Sequence, residues 1–95
     1  MAVSNPTVVE PDALDWLIET YIEPDAHVRR VEEARLRDGG YAVWAIVGDL
    51  LPPGRTAEVV AHEYRVSVEA VWAVWAYYLR HRDALDRRLA ENRAA

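Results

Sequence analysis

The chain has 95 residues, enough for one domain around one core. It carries 11 basic residues against 16 acidic ones, a formal net charge of −5, and every base is an arginine. Cysteine is absent, which excludes a disulfide framework and any thiolate site.

The charge is unevenly placed. Residues 1–25 hold six acids (Glu10, Asp12, Asp15, Glu19, Glu23 and Asp25) and no base, so the remainder is close to neutral. That argues against a nucleic-acid binder acting by bulk charge, while leaving room for a local basic strip. The first residues lack the basic start and apolar run of a secretory signal. The longest apolar run, Ala70–Leu79, is ten residues, against the roughly 20 that a membrane-spanning helix needs. A soluble, cytoplasmic protein is expected. Arginine without lysine, with heavy use of Ala and Val, points to a GC-rich bacterial genome. At 52% hydrophobic, the chain has more apolar material than one small domain readily buries alone.

In chain order, residues 1–11 read as an irregular arm, since Pro6 and Pro11 bracket the short β-prone run Thr7-Val8-Val9. Asp12 is suited to cap a helix over about 12–23, with Asp15 at the third helical position. Leu14, Leu17, Ile18, Tyr21 and Ile22 make its apolar stripe, and Pro24 ends it. Residues 25–40 fit neither template: Val28, Val31 and Ala34 repeat every third residue, whereas Ala34 and Leu36 alternate. Gly39-Gly40 breaks the chain, and a short, mostly buried helix follows over 41–51, stopped by Pro52-Pro53-Gly54. Thr56 and Ser67 cap two further helices. The second meets no Gly or Pro and is expected to run long, to about residue 91.

Residues 56–75 have the layout of a helix-turn-helix. Ala61 is small where the second helix must cross closely, Val71 faces the core, and Arg65 stands where glycine commonly takes a left-handed conformation. An ordinary helical corner is the bland alternative. The second helix offers Val68, Glu69, Ala70, Trp72 and Ala73, which are poor readers of base edges. If DNA is contacted, the residues concerned are Arg55, Thr56, Arg65, Ser67 and Glu69, with the arginine-rich tail from Arg80 to Arg93 as a further basic stretch.

The same helix is apolar on two sides. One stripe holds Val68, Val71, Trp72, Trp75, Tyr78 and Leu79; the other holds Ala70, Ala73, Ala76 and Tyr77. A helix apolar all round is buried on more than one side. Either its own domain wraps it, or a second chain covers it through Trp72, Ala73, Trp75, Ala76, Tyr77 and Tyr78.

Catalytic and metal chemistry find little support. His27, His62 and His81 lack partners at metal-ligand spacing, and Ser4 and Ser67, the two serines, sit in no nucleophile motif. No catalytic residue, metal, cofactor or small-molecule substrate is expected.

The words Ile18-Glu19-Thr20-Tyr21-Ile22-Glu23-Pro24-Asp25, Ala34-Arg35-Leu36 and Val43-Trp44-Ala45-Ile46-Val47-Gly48 are followed by Val60-Ala61, Tyr64, Val71, Ala76-Tyr77-Tyr78, His81, Asp86 and Arg88. In this order they resemble bacterial proteins of the domain-of-unknown-function 433 family, over roughly residues 14–92. The resemblance implies a small helix-turn-helix domain, usually dimeric, acting as the antitoxin to a toxin with a PIN-like nuclease fold and co-repressing their shared promoter. The chain departs from the family where Arg37-Asp38-Gly39-Gly40-Tyr41-Ala42 replaces a Gly-Thr-Arg word, and where Trp72 and Trp75 replace smaller residues.

The resulting expectation is a mainly α, winged-helix-like domain over residues 12–95. Its helix-turn-helix core spans about 41–80, followed by a long C-terminal helix, with a short strand or hairpin at about 28–37. Its expected partners are a second copy, a PIN-like nuclease toxin and operator DNA. Asp15, Glu19 and Glu23 would face the toxin's basic surface. The alternatives are a stand-alone helix-turn-helix regulator and a structural dimerisation module.

Overall fold

The computed structural model describes residues 6–23 and 30–94, with side chains from residue 13 onward. The protein is mainly helical. Helices α1 (Pro6–Tyr21), α2 (Val43–Leu50), α3 (Ala57–Tyr64), α4 (Val68–Arg80) and α5 (Arg82–Ala94) are joined by two short strands, β1 (Ile22–Glu23) and β2 (Arg35–Leu36). A single 3-10 turn, Val31–Glu33, precedes β2.

Helix α4 lies at the centre, and α1, α2 and α3 all pack on it. Its Val71, Ala73 and Val74 are fully buried with Val43, Ile46 and Val47 of α2 and Val60 of α3. These are β-branched and small side chains, which let short helices approach closely with little rotamer entropy to lose. The strands pair antiparallel, Ile22 opposite Leu36 and Glu23 opposite Arg35, and both Ile22 and Leu36 point into the core. This small sheet ties the end of α1 to the segment that leads into α2.

Four expectations are corrected. The first helix begins at Pro6, so residues 6–11 are helical and Asp12 lies inside the helix instead of capping it; residues 1–5 lie outside the described residues. A proline at the first helical position loses no hydrogen bond and has the right φ. That helix also stops at Tyr21, because Ile22 and Glu23 leave it to pair with β2. The strand inside 28–37 is confined to Arg35–Leu36, and its partner is β1, not a second arm of a local hairpin. Positions 28 and 29 are outside the described residues.

The long C-terminal helix is two helices. His81, at φ −129° and ψ 38°, leaves the helical region, and α5 turns back over α2 and the 3-10 turn. Burial of Leu85 and Leu89 drives this break. It is held by the Tyr78 hydroxyl donating to Asp86 at 2.8 Å, by Arg88 Nε donating to Glu33 at 2.9 Å, and by the Arg88 guanidinium lying 4.2 Å from the centre of the Trp44 ring. Gly48 permits the approach, since a Cβ there would sit 3.1 Å from a Leu89 methyl. Among the described residues, no helix is long and apolar enough to cross a membrane.

Candidate functional site

Helices α3 and α4 form the helix-turn-helix unit. The Thr56 hydroxyl accepts from the Val59 N–H at 3.1 Å, and the Ser67 hydroxyl accepts from the Ala70 N–H at 3.1 Å, so both expected caps are in place. Between the helices, Arg65 takes the left-handed conformation at φ 60° and ψ 44°, and its N–H donates to the carbonyls of Ala61 and His62. The Val66 N–H donates to the Ala61 carbonyl at 3.0 Å, completing the stop of α3. Ala61 is buried beneath the crossing of α4, where a larger side chain would push the helices apart.

The residues considered for DNA contact are mostly engaged within the chain. Arg55 forks onto the Glu63 carboxylate, and its Nε donates to the Asp49 carbonyl at 3.0 Å. This hydrogen-bonded pairing raises the Arg55 pKa and lowers that of Glu63, against a smaller opposing effect of burial on each. Beside it, the Tyr64 hydroxyl donates to the Asp49 carboxylate; burial first, and that bond second, push the Tyr64 pKa up. The Thr56 and Ser67 hydroxyls each accept one cap bond, which leaves their O–H groups able to donate, and both residues are exposed. Glu69 is exposed and would repel phosphate. Arg65 is exposed and has no charged partner among the described residues. In the tail, Arg80 pairs with Asp15 and Arg88 with Glu33, while Arg82, Arg87 and Arg93 are exposed and have no ion pair among the described residues.

The expected interface residues divide sharply. Ala73, Ala76, Tyr77 and Tyr78 are buried by the chain's own elements, and the Tyr77 hydroxyl donates to the Val31 carbonyl at 2.6 Å. Ala73, Tyr77 and Tyr78 belong to the core and are not available to a second chain, whereas Ala76 lines a surface groove together with Trp72 and Trp75. Trp72 and Trp75 are presented outward, 47% and 40% exposed, with Leu79 at 46% continuing their row. Which apolar stripe of α4 is covered is decided by where α1, α2 and α3 pack, and spacing along α4 alone carries no such information.

Leu14 and Leu17 of α1 were not foreseen as part of a surface site. They line one side of a groove of about 470 Å³ whose floor and other side are α4, from Val71 through Trp72 and Trp75 to Leu79. Leu50, Arg55 and Ala57 complete its lining. Their signal in the sequence was the ordinary apolar stripe of a helix, which does not separate a core position from a groove wall.

The acidic set is also divided. Asp15 is paired with Arg80, tying α1 to the last turn of α4. Glu19 and Glu23 are exposed, and Glu23 lies opposite Arg35 across the sheet. Among the described residues, no three His, Asp or Glu side chains come together as a metal site. His62 is exposed, and His27 lies outside the described residues.

No protein-family model matches the chain, and no curated protein or solved structure matches it either. The resemblance to the domain-of-unknown-function 433 family therefore rests on the residues quoted for it.

Proposed function

We propose that the chain is a protein-binding module of the antitoxin type, a helix-turn-helix domain that binds and neutralises a PIN-like nuclease toxin. One observation carries this reading: the outward face of the second helix bears Trp72, Trp75 and Leu79 where a DNA reader bears hydrogen-bonding side chains. Large apolar side chains held half-exposed in a row are the anchors of protein interfaces, and they are costly to leave in water. The exposed acids Glu19 and Glu23 suit a nuclease, which must present positive charge to grip RNA. Co-repression of a promoter would then belong to the complex, with operator contacts made largely by the partner.

The test is co-expression with the product of the adjacent gene. A stable complex in which ribonuclease activity is silenced supports the reading; a neighbour that is no nuclease, or that elutes separately, removes it. Stand-alone operator binding is the rival. It draws on Arg65, since Arg55 is already matched to Glu63.

A further inference from the structure

The groove between α1 and α4 has properties that select its occupant. Among the described residues its lining is apolar apart from the two indole N–H groups and Arg55, and the Arg55 guanidinium already faces Glu63 and the Asp49 carbonyl. An extended peptide laid along it would leave its own backbone N–H and C=O groups without partners. An α-helix has those groups paired internally and presents side chains alone. The occupied stretch of α4, from Val71 to Leu79, rises about 12 Å, close to two helical turns.

Charge then selects the flanks of that helix. Glu69 lies three residues before Trp72, one turn away on the same face of α4. Glu58 follows Ala57, which lines the groove. Both acids are exposed, and neither has an ion-pair partner among the described residues. Arg55 and Arg80 are each matched to an acid, Glu63 and Asp15. Among the described residues the uncompensated charge beside Ala57 and Trp72 is therefore negative, whereas beyond Leu79 the exposed Arg82 has no ion pair, on a chain whose net charge is −5.

We infer that the α1–α4 groove seats an amphipathic helix of the partner protein, apolar on its inserted face and basic on the flank that meets Glu58 and Glu69. This deepens the protein-binding reading above and rests on it. The partner's Leu- or Ile-type side chains pack between Leu14 and the two indoles, in the helix-in-groove mode of recognition. Its Lys or Arg side chains set orientation and hasten association.

The full chain is titrated with a synthetic amphipathic helix of Leu and Lys, about 14 residues long so as to overreach the groove at both ends, and with its Leu/Glu counterpart. Tryptophan emission is the readout. Saturable binding of the Leu/Lys helix is expected, at least tenfold tighter than the Leu/Glu helix. Leu79→Gln should weaken it at least tenfold, and Glu69→Gln should narrow the gap between the two peptides. Both positions are exposed, and circular dichroism checks that each variant is folded; if Leu79→Gln is not, Glu69→Gln decides. Equal affinity for the two peptides overturns the inference, as does binding unaffected by a folded Leu79→Gln. So does light scattering that finds a dimer which Leu79→Gln turns into monomer, because a second copy would then fill the groove. Co-purification separates the two levels. If the nuclease is captured equally by wild type and Leu79→Gln, the groove assignment falls and the antitoxin reading stands. If no nuclease is captured but the peptide results hold, the groove stands and the antitoxin reading falls.

Discussion

Arg55, the residue that leads into α3, is locked by a two-pronged hydrogen bond to Glu63 in the last turn of the same helix. One of the two arginines of the motif is thereby satisfied within the chain. Exposed pairs of this kind add little stability, so Arg55→Ala should fold normally. Its retention of duplex DNA, read by gel shift between about 50 and 200 mM salt, should match the weak retention of wild type. Tight, steeply salt-dependent retention that disappears in the Arg55→Ala, Arg65→Ala double variant would favour the regulator instead.

The turn of the helix-turn-helix holds a second testable feature. Arg65 is the one non-glycine residue with positive φ among the described residues, and the left-handed region costs an L-residue about 1–2 kcal/mol. Arg65→Gly removes that cost and loses part of the gain to the freer unfolded chain. A net stabilisation of about 0.5–1 kcal/mol is expected, a rise of roughly 3–6 °C in Tm. Arg65→Ala, which keeps the Cβ, should leave Tm nearly unchanged. Thermal melts of the two variants side by side read the difference.

Gly39 and Gly40 turn the chain between β2 and α2, both at positive φ. A Cβ at Gly39 would lie 2.5 Å from the Tyr41 ring, whereas one at Gly40 meets open space. The Tyr41 ring is itself set edge-on against Tyr64, 5.1 Å between centroids, so moving aside would break that contact. Gly40→Ala should cost about 1 kcal/mol from backbone strain alone, and Gly39→Ala about 2–3 kcal/mol. Urea denaturation of both variants gives the ordering.

His81 sits at the break between α4 and α5, its ring 4.4 Å from that of Tyr77. Burial, and secondarily the neighbouring Arg80 charge, hold its pKa below the ordinary value of 6.5. The folded state therefore binds this proton less readily than the unfolded one. Its contribution to stability is complete above pH 6.5 and is lost as the pH falls through the depressed folded value. His81→Gln should flatten the decline in stability below pH 6.5, measured by denaturation at a series of pH values. A decline of unchanged slope would mean that other groups cause it.

Much of the helix-turn-helix could be read from the chain because its determinants are local. Thr56 and Ser67 bond to N–H groups three residues on, and Arg65 had to adopt the conformation its place in the turn demands. The break at His81 was hidden because no residue there disfavours a helix. It arises from Leu85 and Leu89 finding the core and from Asp86 and Arg88 finding Tyr78 and Glu33. The same holds for the site: the apolar character of α4 was plain, but its buried side was set by α1, α2 and α3. That choice left Trp72 and Trp75 outward and took Tyr77 and Tyr78 inward.

The central claim, that the Trp72–Trp75 face binds protein and not DNA, is tested most directly by calorimetric titration of the adjacent gene's product into wild type and a Trp72→Ala, Trp75→Ala double variant. Buried aromatic anchors lose about 2 kcal/mol or more each on truncation, so at least a hundredfold loss of affinity is predicted in a variant that remains folded. Equal affinity of the two proteins, or no binding by wild type at micromolar concentration, would contradict the account.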